Sequence, residues 1–391
     1  MKKNYVMLAL ASMMMAACAN NDLVDEGVVK EEVPQAIGFE TFAQKATRAT
    51  ENSGEDYGDN DLKNHHGTFK VWASKQLADA TYVDVYAAGS PGTVTWTDVW
   101  TANPLKYWDK AATNYYFYAA APSSPSWVYT NATTSDGSTG YLTLADYVLK
   151  GTANDNLATG ANTDLGTTWK AKTHEGKDLD LMIAAPCPVT STHYYNVESP
   201  EAVNLDFIHI LSRLNIAVRS TVTGVKLSAL NVVGLRYSGD FNENAAITPG
   251  TLATGTSLRW NTDTPADKNT YVLAGKIGND GLSLTNTAVY THEYLVMPQT
   301  QTNSEATVNK GTAPTTDAYI YIEYTLGGET FKTYYGLAQA FGIAEDASLA
   351  FNEGWQNTLT LTISPDAIVF TADAAAWDDN VNYDDTNSTI D

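Results

Sequence analysis

Apolar and polar residues alternate in short stretches along most of this chain, with the period of two that belongs to β-strands. The first stretch is AIGFETFA, residues 36–43, which places Ile37, Phe39 and Thr41 on one face and Gly38, Glu40 and Phe42 on the other. The alternation stops near Lys45. The segment that follows, ATENSGEDYGDNDLKNHHG, is polar and rich in Gly, Asp and Asn, which predicts exposed loop. Strands are predicted again at TFKVWAS, TYVDVYA, TVTW, NYYFYAAAP and LDLMIAAP, with turn chemistry such as Pro91-Gly92 between them and a Thr/Asn/Gly-rich insertion around residues 130–170.

Beyond residue 200 the stretch AVNLDFIHILSRLNIAVRSTVTG carries two periods at once. Leu205, Ile208 and Leu211 have helical spacing, while Val203-Leu205-Phe207-His209 and Leu214-Ile216-Val218 alternate. The β-branched content favours two strands with a break near Ser212. Strands continue through GVKLSALNVVGLRYSG, EYLVMPQT, a hairpin AYIYIEYTLGGETFKTYYG turning at Gly327-Gly328, and QNTLTLTISPDAIVFTADAAAWDD. LAQAFGIAEDA is expected to hold one short helix.

Composition agrees with an all-β reading: 43% of the residues are hydrophobic and 11% aromatic, only 17% are charged, and there are 23 Tyr and 9 Trp. A length of 391 residues suggests two domains. The net charge of −22, with no Lys/Arg cluster after the first three residues, excludes a nucleic-acid partner, because phosphate needs a basic patch.

The N-terminus, MKKNYVMLALASMMMAAC, has a basic start, an apolar run and small residues before Cys18, which reads as an export signal over residues 1–17. Ala16-Ala17-Cys18 resembles a bacterial lipobox, in which the cysteine is acylated and becomes the new N-terminus; an ordinary signal peptide with an incidental cysteine is the alternative. Lipidation of Cys18 leaves Cys187 without an internal partner. Residues 18–36 then read as a lipidated tether, and the membrane is a partner only through that lipid.

Candidate chemistry is sparse. His65-His66 lies in a polar loop, and His174 and His292 each precede Glu without the second His of a zinc-protease helix, so no metal site is expected. Asp56, Asp59 and Asp61 lack EF-hand spacing, and Cys187 sits in APCPV with no basic neighbour to activate it. His209, between Ile208 and Ile210, reads as a half-buried sheet histidine. Nucleophile elbow, P-loop and dinucleotide fingerprint are all missing, so neither an enzyme nor a cofactor is expected. The aromatic content raises a non-polymerising glycan-binding surface lipoprotein as the rival function, although the Trp residues define no single platform.

Several motifs stand together in order: the lipobox, the tether, the IGF strand ending in ATRA, PLKYWDKAATNYYFYAAAP, LDFIHILSRLNIAV, and a close of the form WQNTLTLTI…W. In this order they resemble the fimbrillins, the subunits of type V pili of Bacteroidota, in particular the Mfa-like branch. The resemblance covers nearly the whole mature chain. It implies two consecutive transthyretin-like β-sandwich domains, expected at residues 37–200 and 201–391. It also implies export to the outer membrane as a surface-exposed lipoprotein, proteolytic maturation, and assembly with other fimbrillin subunits into a fimbrium for adhesion, with the adhesion ligand left open.

An arginine-specific protease that removes the first strand is implied as a partner, and Arg48 matches its cutting position. Arg48 is also the first of only five Arg and precedes the most loop-like stretch of the N-terminal half; Lys45 is the alternative for a trypsin-like protease, and a plain surface charge the alternative for Arg48. Removing strand 37–43 would leave backbone groups unpaired beside an apolar groove that a strand of another chain can fill. The candidate donor is 366–377, with Ile368, Phe370, Ala372 and Ala374 on one face and Val369, Thr371 and Trp377 on the other. The acidic tail DDNVNYDDTNSTID alternates only through Val381 and Tyr383 and is costly to bury.

Overall fold

The computed structural model describes residues 34–43, 62, 66–130, 140–149, 180–190, 201–243, 259–263, 271–275, 277, 280–304, 313–314 and 316–376, with short strands between 152 and 173. Among them nearly all regular structure is β, and the expected short helix is one turn, Leu337–Ala340. The N-terminal signal and tether, Cys18, Lys45, Arg48, the Asp56–Asp61 loop, His65, His174, Trp377 and the acidic tail lie outside the described residues.

The largest sheet contains eight strands and closes on itself. Its order runs Tyr82–Tyr86, Thr68–Leu77, Gly92–Trp96, Trp100–Asn103, Phe39–Ala43, Val203–His209, Met182–Thr190 and Ala112–Ala121. Ala112–Ala121 then pairs back onto Thr68–Leu77, from Lys70↔Ala120 to Leu77↔Ala112. Closure explains the apolar run NYYFYAAA: a strand covered on both faces need not alternate. Thus Phe117 and Ala119 point into the ring with Val71, while Tyr118 and Ala120 join Trp72 in a second, larger apolar core.

Four further strands form a sheet in the order Val289–Val296, Ser212–Ser220, Trp355–Ile363 and Ile368–Ala376. Its central pair is parallel, from Arg213↔Gln356 to Ser220↔Ile363. Leu214, Ile216, Val218, Leu359 and Leu361 project from that pair into the larger core. The ambiguous stretch resolves into strands Val203–His209 and Ser212–Ser220, so the β-branched alternation wins over the helical spacing. The hairpin Tyr319–Leu326/Glu329–Gly336 turns at Gly327 and Gly328, whose φ values of 63° and 88° suit glycine and the two-residue turn that matches strand twist.

Several strand pairings cross the expected division at residues 200 and 201. Strand Val203–His209 belongs to the ring, parallel to Phe39–Ala43 and antiparallel to Met182–Thr190. Tyr141–Val148, which falls in the Thr/Asn/Gly-rich insertion, pairs with Ser238–Asn242 and Val128–Thr130. Alternation tells which face of a strand is covered; it carries no information about which distant strand does the covering.

Candidate functional site

The N-terminal strand Phe39–Ala43 fills a slot in the ring between Val203–His209 and Trp100–Asn103. Five successive residues pair in parallel with Val203–Phe207, whereas the other side holds a single antiparallel pair, Phe39↔Trp100. The approach to the strand is also fixed through backbone. Ile37 N–H donates to the Lys106 carbonyl at 2.9 Å, Trp108 N–H to the Gln35 carbonyl at 2.9 Å, and Val203 N–H to the Gly38 carbonyl at 2.9 Å.

Three side chains point inward, as the alternation predicts: Ile37 is 2%, Phe39 5% and Thr41 1% exposed, while Glu40 faces solvent. Phe39 sits in an aromatic pocket. Its ring centroid lies 6.2 Å from Phe69 and 5.9 Å from Phe117, both edge-to-face, and 6.5 Å from Tyr86. Phe69 continues the pocket to Trp100 at 5.1 Å and to Phe207 at 5.3 Å. Edge-to-face packing of this kind adds directional preference to simple burial. Gly38 faces outward, and a Cβ there would stand 3.7 Å from the Ala202 Cβ, an ordinary contact.

At the other end of the described chain, Ile368–Ala376 pairs with Trp355–Ile363 through nine residues, Ile363↔Ile368 to Trp355↔Ala376. Among the described strands it is the edge of its sheet, and none of them pairs with its second backbone edge. Ile368 and Phe370 are half-buried against the larger core, with the Phe370 ring 4.8 Å from Tyr335. Val369 is 51% exposed, and Thr371 through Ala375 are exposed on both faces. The strand is therefore hydrogen-bonded over its whole length but packed only at its start. The structure keeps it apart from the N-terminal strand, in a different sheet.

Of the titratable groups singled out by sequence, His209 and His292 are both buried and hydrogen-bonded. His209 Nδ1 meets Asp180 Oδ2 at 2.7 Å and is buried in the ring wall. His292 is fully buried, with Nε2–H donating to the Leu273 carbonyl at 3.2 Å, and burial pushes its pKa down to about 4. One group escaped sequence reasoning altogether: Glu243, in the polar-looking FNENAA, is buried, accepts the Leu142 N–H at 2.8 Å and is pushed up to about 7 by burial. Among the described residues no group of three or more His, Cys, Asp or Glu could hold a metal. No helix among them is long and apolar enough to cross a membrane, which says nothing of β-barrels.

Solved structures similar to this chain include a fimbrial protein from Bacteroides vulgatus, at TM-score 0.48 and 13% identity over 88% of this chain and 100% of that one. A candidate cell adhesion protein from Bacteroides uniformis aligns at TM-score 0.42 and 15% identity over 88% of this chain and 99% of that one. Another from Bacteroides ovatus aligns at TM-score 0.42 and 11% identity over 89% and 99%. No curated protein matches the chain. The sequence pattern of the fimbrillin-like family, however, matches residues 47–377, most of the chain, beginning just after the strand that fills the ring, and the chain therefore belongs to the fimbrillin-like family.

Proposed function

We propose that this protein is a structural subunit of a cell-surface pilus, exported as an outer-membrane lipoprotein through acylated Cys18 and matured by an arginine-specific protease at Arg48. Its polymer grows by strand exchange between subunits, with residues 366–377 as the donor. In this reading its β-structure is organised as two consecutive transthyretin-like sandwiches, and the fimbrium serves adhesion.

One observation carries the proposal. A five-residue strand completes a closed ring and its core, yet it lies at the extreme N-terminal end of that ring, 24 residues ahead of the next ring strand at Thr68. A cut anywhere between Ala43 and Thr68 severs that strand from the rest of the ring while leaving every other ring pairing intact. Loss of the severed strand exposes the backbone edge of Val203–His209 and the pocket of Phe69, Tyr86 and Phe117, which is the surface that strand addition requires. While the strand stays in place the groove is filled, which keeps subunits apart during transport.

The proposal is tested with Arg48→Ala. The variant should reach the outer membrane as a lipidated, unprocessed monomer and form no polymer in cells. Polymer of normal length from Arg48→Ala would refute maturation at this residue.

A further inference from the structure

The loop that follows strand Trp100–Asn103 carries apolar side chains outward. In Pro104-Leu105-Lys106-Tyr107-Trp108-Asp109-Lys110, Leu105 is 47% and Tyr107 50% exposed, while Trp108 is buried. Their position is fixed by what lies beneath them. Trp108 packs edge-to-face on Tyr115 at 4.8 Å and on Phe117 at 6.0 Å. The Asp109 N–H donates to Tyr115 Oη at 2.7 Å, and the Asp109 carboxylate holds Lys75 Nζ at 2.5 Å and accepts the Ala111 N–H at 2.9 Å.

This loop is also where the chain enters the ring. Ala36 bridges Tyr107, the Ile37 N–H donates to the Lys106 carbonyl and the Trp108 N–H to the Gln35 carbonyl. Cys18 is therefore joined to the ring beside Leu105 and Tyr107, through a stretch that spans at most about 60 Å even when fully extended.

We infer that this loop docks on the lipid leaflet that holds the acyl chains of Cys18, with Leu105 and Tyr107 at the boundary of headgroups and acyl chains and Lys106 and Lys110 at the level of the phosphates. The inference rests on the lipoprotein reading above and adds to the lipid a contact made by the protein itself.

A lipid surface fits the residues, the charge and the connection. Tyr has an apolar ring and a polar tip, which suits it to the headgroup level, and lysine stems reach phosphate while lying along apolar surface. The chain carries −22 overall, so most of its surface is repelled by a phosphate-bearing leaflet, whereas Lys75, Lys106 and Lys110 outnumber Asp109 here. Two apolar side chains bind a bilayer weakly by themselves. The anchor turns their docking into an intramolecular step, at an effective concentration on the order of millimolar.

The segment ahead of the ring acts against the lysines, with Asp22, Asp25, Glu26, Glu31 and Glu32 against Lys30. The apolar pair therefore supplies the docking and the lysines its orientation. Once a cut at Arg48 frees that segment, the two side chains alone do not hold the ring on the leaflet.

The test uses an anchor that does not depend on lipidation. The chain carries a hexahistidine tag in place of residues 1–17, with Cys18→Ser and Cys187→Ser, and is held on vesicles of phosphatidylethanolamine, phosphatidylglycerol and a nickel-chelating lipid. An environment-sensitive fluorophore is attached at Leu105→Cys with Tyr107 kept, or at Tyr107→Cys with Leu105 kept. Phe331→Cys, at an exposed position of the hairpin, is the reference. The expected result is a blue shift and protection from iodide at positions 105 and 107, absent at 331 and lost when imidazole releases the tag. With the label at 105, Tyr107→Ser should lower the ratio of docked to free chain about five- to tenfold.

Equal signals at 105, 107 and 331, or a signal at 105 unchanged by Tyr107→Ser, overturn the docking and leave the lipoprotein reading standing. Lipidation is measured apart, as uptake of labelled palmitate by the full chain in cells. Label in the parent but not in Cys18→Ser supports the anchor; a parent chain that takes up none overturns the inference through the lipoprotein reading, whatever the vesicles show.

Discussion

At the scale of single residues, the packing of the N-terminal strand in the ring turns on Phe39. Three aromatic rings surround it, so truncation leaves a cavity that the closed ring cannot collapse around. Phe39→Ala should destabilise the uncut chain by about 3–5 kcal/mol in urea denaturation. Glu40→Ala, one residue on and exposed, should change stability by no more than about 0.5 kcal/mol. Two buried titratable groups act in opposition on pH dependence. Glu243 is raised from 4.5 to about 7, so its contribution is present below pH 4.5 and is lost as pH rises towards 7. His292 is lowered from 6.5 to about 4, so its contribution is present above pH 6.5 and is lost as pH falls towards 4. The two slopes offset one another between pH 4.5 and 6.5. Glu243→Gln keeps an acceptor for the Leu142 N–H but does not titrate, so its urea midpoint should climb from pH 4 to 6.5 where the parent's stays nearly level. A variant profile that tracks the parent's would contradict this.

At the scale of elements, the two terminal strands differ in how firmly they are held. The N-terminal strand is buried along its inward face, whereas the C-terminal strand is packed only through Ile368 and Phe370. Amide exchange should therefore be faster in Thr371–Ala375 than in the paired Trp355–Ile363. Ile368→Asp with Phe370→Asp should leave processing at Arg48 intact and abolish polymer, while deletion of residues 378–391 should leave polymer largely unchanged, both read on gels of cell-surface fractions. The reverse pattern would make the acidic tail the inserted strand. Much of this was legible in the sequence. The inward set Ile37, Phe39 and Thr41, the break near Ser212 and the Gly327-Gly328 turn follow from period and turn chemistry alone. Ring closure, the parallel pairing of Phe39–Ala43 with Val203–His209, and the burial of Glu243 were not legible. Each depends on partners far along the chain, from Leu77↔Ala112 to Phe39↔Val203, and period-two alternation looks the same whichever partner covers the strand.

At the scale of the whole molecule, the chain joins a closed ring, whose slot the strand Phe39–Ala43 fills, to a sheet whose last strand, Ile368–Ala376, lies at its edge. Under the proposed function such a chain stays a monomer while uncut and polymerises once the N-terminal strand is released. Family membership and the strand geometry both bear on that account, but proteolysis is its pivot. The most direct measurement is limited trypsin digestion of the purified chain, followed by mass analysis of the products and an unheated gel. The account expects one early cut after Arg48, a stable product beginning at Ala49, dissociation of the peptide that carries Phe39–Ala43, and a ladder of polymers in its wake. Early cutting inside the ring strands, or a stable product from Ala49 that has lost the peptide and stays monomeric at high concentration, would contradict it.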